Sequence, residues 1–175
     1  MYGAREIAES FRTVRKNTLQ IAEEIPADKY DFKAAADVKS VGELLAHIAV
    51  SSGWQIDVHT GRISSIDFSF FAGRAPQVAA DEKALQSKEQ IVDALRKRGE
   101  DFASMVERLT PEVLGEVVSF APPFQPSQKT RFEMLLGVKE HEMHHRGQLM
   151  LIERMLGIVP HLTRRRQAAV AGART

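Results

Sequence analysis

Apolar and polar residues alternate with helical spacing in four stretches of the chain. In the first stretch, apolar side chains recur every three or four positions, which places them on one face of a helix. That face carries Ile7, Phe11, Val14, Ile21 and Ile25, with Thr18 completing the stripe. Pro26 ends the pattern, because the residue before a proline avoids helical geometry. We therefore predict a first helix over about residues 4–25.

Three further helices are predicted to begin at capping boxes. In this motif a serine or threonine and a glutamate or glutamine three residues later satisfy each other's free backbone N–H groups. The pairs are Ser40 with Glu43, Ser87 with Gln90, and Thr130 with Glu133. They predict helices over about residues 40–61, 87–109 and 130–156. Four amphipathic helices of about 20 residues each indicate an all-α fold, a four-helix bundle.

Two long connections join these helices, over residues 62–86 and 112–128. The first contains Phe68, Phe70 and Phe71, and the second is rich in proline. Neither shows a helical period, so both are predicted to be loops. Loops of this length in a compact domain are often lids or binding loops. The alternative is that their phenylalanines simply cover the ends of the bundle.

Composition and charge exclude several classes of function. The chain has no cysteine, which excludes disulfides, thiolate metal sites and cysteine nucleophiles. Its net charge of +1 gives no field that would gather nucleic acid. No stretch reaches the roughly 18 apolar residues of a membrane span, and the N-terminus lacks the apolar segment of a signal peptide. We therefore expect a soluble, cytoplasmic protein without nucleic-acid or membrane partners.

The length of 175 residues suggests one domain. We place this domain over residues 1–160 and assign residues 161–175 to a basic C-terminal tail. The tail carries four arginines and no acidic residue. Short basic ends of this kind are usually solvated.

Three of the six histidines lie in the segment HEMHH at residues 141–145. On a helix, at about 100° per residue, His141 and His145 are about 40° apart and one turn from each other. Four apolar residues fall within about 60° of His141 on the same side. They are Met134, Val138, Ile152 and Leu156. The two histidines are therefore expected to interrupt the stripe that faces the core.

Imidazoles directed at a core are costly unless they have partners. A metal ion is one such partner, because imidazole nitrogen is a favoured ligand for zinc, nickel, copper and iron. Residues four apart on a helix can supply two ligands to the same ion. The alternative is a pair of hydrogen-bonded core histidines.

His47 is the best candidate for a third ligand. It lies in the middle of the second predicted helix, on the face that carries Leu44, Trp54 and Val58. His59, near a helix end, and His161, after a proline, are predicted to be surface residues. Three histidine ligands without a fourth protein ligand leave room for water, a thiolate or substrate, which is typical of catalytic metal sites.

The segment HEMHH also matches H-E-x-x-H, in which zinc proteases use the glutamate as general base. Such proteases take a third ligand from downstream of the motif, where only Glu153 and His161 remain in this chain. Three side chains near the expected ligands are candidates for supporting or catalytic roles. They are Glu142, as a base or merely a solvated residue, His144, on the flank of the pair, and Gln148, on the metal-facing side.

The fourth-helix segment HEMHHRGQLMLIERMLG and the second-helix segment GELLAHIAVSSGW together resemble the DinB-like (DinB/YfiT) family. The string HHRGQL at residues 144–149 is among the most recognisable pieces of that family. The resemblance implies an up-down-down-up four-helix bundle. It also implies a metal-binding histidine triad, with one histidine on the second helix and two on the fourth. In this chain the triad is His47, His141 and His145.

The better understood members of that family are thiol-dependent enzymes, namely S-transferases that use bacillithiol and a mycothiol-dependent isomerase. The resemblance therefore implies one divalent metal ion, with zinc or nickel favoured, a small-molecule substrate, a low-molecular-weight thiol and a homodimer. A metal-dependent enzyme of the thiol S-transferase kind is the leading hypothesis. The alternatives are a metal-dependent hydrolase, a non-catalytic module that binds a metal or small ligand, and a structural protein with a satisfied histidine cluster.

Overall fold

The computed structural model of this protein describes residues 2–173. Its frame consists of four long helical segments, the second of which is divided in two. The segments are α1 (Ala4–Glu24), α2 (Val41–Ser51) with α3 (Gly53–Thr60), α5 (Lys88–Glu107) and α7 (Arg131–Met155). Both α1 and α2 pack against α5 and α7. This arrangement confirms the predicted all-α class.

All three predicted capping boxes are present. At the start of α2, the Ser40 N–H donates to Glu43 Oε2 at 2.7 Å, and the Glu43 N–H donates to Ser40 Oγ at 3.2 Å. The same reciprocal bonds cap α5 at Ser87 and α7 at Thr130. The helix starts were therefore readable from the sequence, because each signal is local.

The second predicted helix is interrupted at Ser52. We expected one helix to about Gly61, whereas α2 ends at Ser51 and α3 begins at Gly53. Serine and glycine are weak helix formers. In addition, the Ser51 hydroxyl donates to the Ile48 carbonyl oxygen at 3.2 Å and so competes with the backbone ladder.

The connection over residues 62–86 is not a loop, as predicted, but contains the short strand β1 (Ser65–Ile66) and the helix α4 (Phe68–Ala84). Asp67 caps α4 by accepting the Phe70 N–H at 3.0 Å. None of the residues described in α4 is fully buried. Its apolar repeat, Phe71, Ala75 and Val78, is short, so the periodic signal on which the prediction relied is weak.

The connection over residues 112–128 is also more ordered than predicted. After the short helix α6 (Pro111–Gly115), the chain forms strands β2 (Val117–Phe120) and β3 (Gln128–Thr130). Strand β2 pairs with β1 in parallel and with β3 in antiparallel fashion. The resulting three-stranded sheet packs over α3 and the first turns of α7, through a buried apolar cluster. That cluster consists of Val58, Ile66, Val118 and Met134.

The main core lies between the four long segments, in two further apolar clusters. The cluster at one end centres on Ile21, Leu45 and Leu95, and the other centres on Phe11, Phe102 and Leu135. Helices α1, α5 and α7 supply most of these residues, and α2 contributes Leu44, Leu45 and Ile48 among others. Along the described helices, no segment is both long and apolar enough to cross a membrane.

Residues 161–172, in the predicted basic tail, form the helix α8 (His161–Gly172). Its arginines are largely exposed, but Arg164 and Arg165 donate to Glu24 and Gln20 of α1 at 2.6 and 3.1 Å. His161, predicted to be a surface residue, is buried and bonded to Asn17 Oδ1 at 3.1 Å. That prediction was wrong because α8 folds back against α1, and α1 covers the ring.

A buried carboxylate lies beneath α8. Both oxygens of Glu153 lack a hydrogen-bond partner among residues 2–173, and so does Nδ1 of His161. Burial, and secondarily the negative charge of Glu24, raise the pKa of Glu153 to about 7, against weaker opposing effects of Arg164 and Arg154. The protein therefore has to accommodate an unpaired buried charge at alkaline pH.

We expect Glu153→Gln to stabilise the protein at alkaline pH by about 1–3 kcal/mol, the usual cost of an unsatisfied buried group. Because folding raises the pKa of this carboxyl, its stabilising contribution is complete below about 4.5 and is lost as the pH rises through about 7. Urea unfolding across this range checks the prediction. The exposed Glu140 on the same helix provides the control, Glu140→Gln. Parallel pH profiles for wild type and Glu153→Gln would contradict it.

Candidate metal centre

The structure brings the three predicted histidines together from two helices. His47 lies in the middle of α2, and His141 and His145 lie one turn apart on α7. Nε2 of His141 is 3.3 Å from Nε2 of His47 and 3.1 Å from Nε2 of His145. The three ring nitrogens therefore converge on one point.

Hydrogen bonds to the far side of two rings fix where the imidazole protons lie. His47 Nδ1 is 2.8 Å from Glu82 Oε1, and His145 Nδ1 is 2.8 Å from Gln148 Oε1. These oxygens accept hydrogen bonds, so each Nδ1 carries the proton and each Nε2 of the neutral ring presents a lone pair. The lone pairs of His47 and His145 therefore both face Nε2 of His141, and a cation between the three nitrogens would ligate all of them.

The spacing of the donors fits a metal ion. A tetrahedron with Zn–N bonds of about 2.0–2.1 Å has edges of about 3.3–3.4 Å, close to the observed separations. Burial, followed by repulsion from the neighbouring histidines, lowers the pKa of His141 to about 4. Burial also lowers the pKa of His145. Both rings are therefore neutral near pH 7, as metal ligation requires.

The three histidines form a metal-compatible group without a further histidine or carboxylate ligand in the described part of the chain. The rings are only partly buried, although Met134, Val138 and Ile152 on the same side of α7 are buried as expected. The difference arises because His47 and His141 line a cavity rather than the packed core. A ligand entering the cavity would thus meet the histidine nitrogens directly.

The supporting candidates fall in three different environments. Gln148 contacts His145 through the hydrogen bond described above, and the ring of His144 packs edge-on against His145, with centroids 5.0 Å apart. Glu142 is neither solvated nor bonded to a triad histidine. It is buried, and its Oε2 accepts from Arg15 Nη2 at 2.9 Å. The glutamate of the H-E-x-x-H match is therefore held in an ion pair and has no free oxygen to act as a base.

The carboxylate that does contact the triad is Glu82, which the sequence reasoning missed. It lies on α4, bonded to His47 through Oε1 and to Lys39 Nζ through Oε2 at 3.3 Å. Glu82 was missed because residues 62–86 were expected to be a loop, so no helix was predicted that could bring its carboxylate to His47. Only the Asp67 cap indicated that a helix begins there.

We expect Glu82→Ala to weaken metal affinity by about 10–100-fold, the usual effect of removing the partner of a ligating histidine. The change frees the His47 ring to rotate and lowers its basicity. Zinc titration against a competing chelator measures the effect. The neighbouring Asp81, which pairs with Arg98, supplies the matched control Asp81→Ala. Equal affinities of wild type and Glu82→Ala would contradict the assigned role.

His59 lies away from the metal centre, and its position contradicts the prediction that it is a surface residue. We expected a surface residue, but its ring is 1% exposed and bonded to Gln55 Oε1 at 3.0 Å. Arg131, also buried, lies over it and donates to the carbonyl oxygens of Val58 and Ile63. The small sheet covers this end of α3, which the sequence reasoning had treated as an open helix terminus.

A cavity of about 620 Å³ leads to the triad. The two long connections form much of its wall, through α4, β2, β3 and the segment between the two strands. Its aromatic side includes Trp54, Phe71 and Phe124, with ring centroids of Phe71 5.2 Å from Trp54 and 5.4 Å from Phe124. The volume lies within the range of about 300–1,000 Å³ typical of small-molecule sites.

The comparison with known families agrees with this geometry. Residues 10–149, which include all three histidines, match the model of the DinB superfamily. The chain belongs to the DinB superfamily. This DinB-superfamily chain is 26% identical over 157 residues to the uncharacterized protein YjoA of Bacillus subtilis (strain 168). The match covers 90% of this chain and 93% of YjoA.

Solved structures of DinB-like proteins have the same fold. The crystal structure of the DinB-like protein YjoA from Bacillus subtilis superposes with a TM-score of 0.65 at 25% identity, covering 87% of this chain and 92% of that one. A DinB-like protein from Bacillus cereus superposes with a TM-score of 0.68 at 18% identity, covering 91% and 97%. The predicted family is therefore confirmed, and the DinB-superfamily fold is the frame on which the histidine triad lies.

Proposed function

We propose that this protein binds one divalent metal ion, zinc or nickel, at His47, His141 and His145, and that it is an enzyme acting on small molecules. The observation that carries the proposal is the convergence of three Nε2 atoms beside a ligand-sized cavity. With three protein ligands, a position remains for a thiol, water or substrate. The reaction class we favour, transfer of a small thiol to an electrophile, rests on the resemblance of the triad segments to the DinB-like family, whose better understood members are thiol-dependent enzymes.

Different side chains have different roles at this metal centre. The histidines hold the ion, while Glu82 and Gln148 hold two of the rings in the tautomer that ligation requires. Aromatic side chains line the cavity beside them. When bound, the ion would lower the pKa of a thiol or water that ligates it.

A non-catalytic binding module is the second candidate. The observation that favours it is the ion pair that engages Glu142, which removes the glutamate of the H-E-x-x-H match as a proton acceptor. The same observation argues against a hydrolase of the zinc-protease kind, in which that glutamate would be the general base. Thiol transfer does not need this glutamate, because the thiol proton can leave to solvent.

Turnover of 1-chloro-2,4-dinitrobenzene with cysteine as the thiol tests the enzymatic proposal. The sulfur forms the new carbon–sulfur bond, chloride leaves with the bonding electrons, and the thiol proton passes to buffer. We expect turnover by zinc- or nickel-loaded protein, and none above the uncatalysed rate for metal-free protein or His47→Ala. Full activity in His47→Ala would overturn the mechanism. Stoichiometric metal without turnover of any thiol and electrophile pair would favour the binding module.

The homodimer implied by the family resemblance remains a proposal. The outer side of α7 carries exposed apolar residues that such an interface would bury, among them Met143, Leu151 and Met155. Light scattering of the purified protein measures its mass in solution. A mass of two chains is expected, and a mass of one chain across the working concentrations would contradict the proposal.

A further inference from the structure

The charged side chains that line the cavity are all positive. Its lining includes two cationic side chains, Arg74 and Lys129, and no aspartate or glutamate among the described residues. The remainder is mostly aromatic and aliphatic. A cationic group beside apolar surface favours an anionic ligand, because the low dielectric of the wall strengthens attraction and penalises an unpaired charge.

Arg74 already has partners. Its Nε lies 3.3 Å from Asp57 Oδ2, its Nη1 donates to the Phe70 carbonyl oxygen at 3.3 Å, and its guanidinium carbon lies 3.7 Å from the centroid of the Phe70 ring. These contacts satisfy much of its charge and hold it against the wall of the cavity. Arg74 is therefore not the group that lacks an anion.

The side-chain ammonium of Lys129 makes neither a hydrogen bond nor an ion pair with any residue from 2 to 173. It lies directly opposite Val118 in the antiparallel ladder, so the two side chains share a face of the sheet. Val118 is fully buried, which identifies that face as the inner one. Glu133, whose charge interacts with Lys129 at longer range, is itself bonded to the N–H and hydroxyl of Thr130. The sheet thus directs an unpaired ammonium group into the cavity.

We propose that the cavity binds a small compound with an apolar, aromatic body and one carboxylate group, and that Lys129 binds the carboxylate. Trp54, Phe71 and Phe124 would pack against the body, with the far end directed at His47 and His141. A monoanion fits better than a phosphate, which usually takes several donors from arginine forks or backbone N–H groups. The inference deepens the proposed function by naming its substrate class, and as a statement about turnover it rests on that function.

Trp54 makes the proposal directly measurable, because it is the single tryptophan of the chain and lines the cavity. The probes are 4-phenylbutyrate, its uncharged amide and 4-phenylbutylamine, which share an apolar body and differ in charge. Titrations use metal-free protein after the chelator is dialysed away, so that no carboxylate can bind a metal. We expect the acid to bind at least about tenfold more tightly than the amide, as for a charge-assisted hydrogen bond, and the amine most weakly.

Two lysine variants locate the effect. We expect Lys129→Met to reduce the affinity for the acid to that for the amide, and to leave amide binding unchanged. The control is Lys97→Met, on an exposed lysine that pairs with Asp101 on α5. We expect it to change neither affinity. Retention of the acid preference in Lys129→Met, or its equal loss in Lys97→Met, would overturn the proposal.

The titrations of the wild-type protein test the proposal even if a variant does not fold. Equal affinity for acid and amide, or no change in Trp54 fluorescence with either, would overturn the proposed substrate class without bearing on metal binding. Conversely, acid-selective binding by a protein that shows no metal-dependent turnover would retain the carboxylate site and remove the enzymatic proposal. The two failures are therefore distinguishable.

Discussion

We expect the Arg15→Met variant to unfold about 3–5 kcal/mol more easily than the wild-type protein, because it leaves the buried Glu142 carboxylate unpaired. Arg15 and Glu142 are 4% and 2% exposed. Arg15 Nε and Nη2 donate to the carboxylate at 2.9–3.0 Å, and Nη1 donates to the Leu95 carbonyl oxygen at 2.6 Å. One side chain of α1 thereby joins α7 and α5 at the level of the histidines.

Urea unfolding of single and double variants tests this expectation. Removing both charges in Arg15→Met/Glu142→Met should restore most of the lost stability, since a paired charge can be replaced by apolar side chains at little net cost. The control is Arg12→Met, on the same helix. This variant loses only the surface ion pairs of Arg12 with Glu100 and Glu107, and its free energy of unfolding should fall by at most about 1 kcal/mol. Similar losses for Arg15→Met and Arg12→Met would contradict the assigned role of the pair.

The second large effect concerns the metal. We expect zinc at about 100 times its dissociation constant to stabilise the wild-type protein by about 2.7 kcal/mol, because an ion bound only to the native state shifts the folding equilibrium. His141→Ala removes the ligand nearest both other nitrogens and should abolish this gain. Thermal unfolding with zinc, and after chelation, measures both quantities.

His144→Ala is the matched control for that experiment. His144 lies on the same helix, contacts the ring of His145 and is outside the metal-compatible group. We expect it to keep at least most of the stabilisation by zinc. If zinc raised the unfolding temperature of His141→Ala as much as that of the wild type, the ion would bind elsewhere, and the assigned ligands would be wrong.

Where sequence signals are local, they predicted the structure well. The capping boxes at Ser40, Ser87 and Thr130 fixed three helix starts, and the spacing of His141 and His145 on one helix predicted their proximity. His47 could be paired with them because its helix was correctly placed. Most of the features that failed depend on contacts between segments distant in sequence, whereas the break at Ser52 has a local cause.

Glu82 and Arg15 show what periodicity cannot supply. Glu82 lies on α4, whose apolar repeat is short, so neither the helix nor the carboxylate beside His47 was expected. Arg15 interrupts the buried face of α1 one residue after Val14, and its bonds to Glu142 and to the Leu95 carbonyl oxygen explain its burial. Local position also misled at His161, because α1 covers its ring.

Metal analysis of protein purified without an affinity tag, beside His141→Ala purified in the same way, tests the central claim most directly. The three converging Nε2 atoms predict about one divalent ion per wild-type chain, zinc or nickel, and almost none in the variant. Absence of metal from the wild-type protein, even after incubation with zinc or nickel and removal of excess, would contradict the account. Equal metal content in the two proteins would contradict it as well.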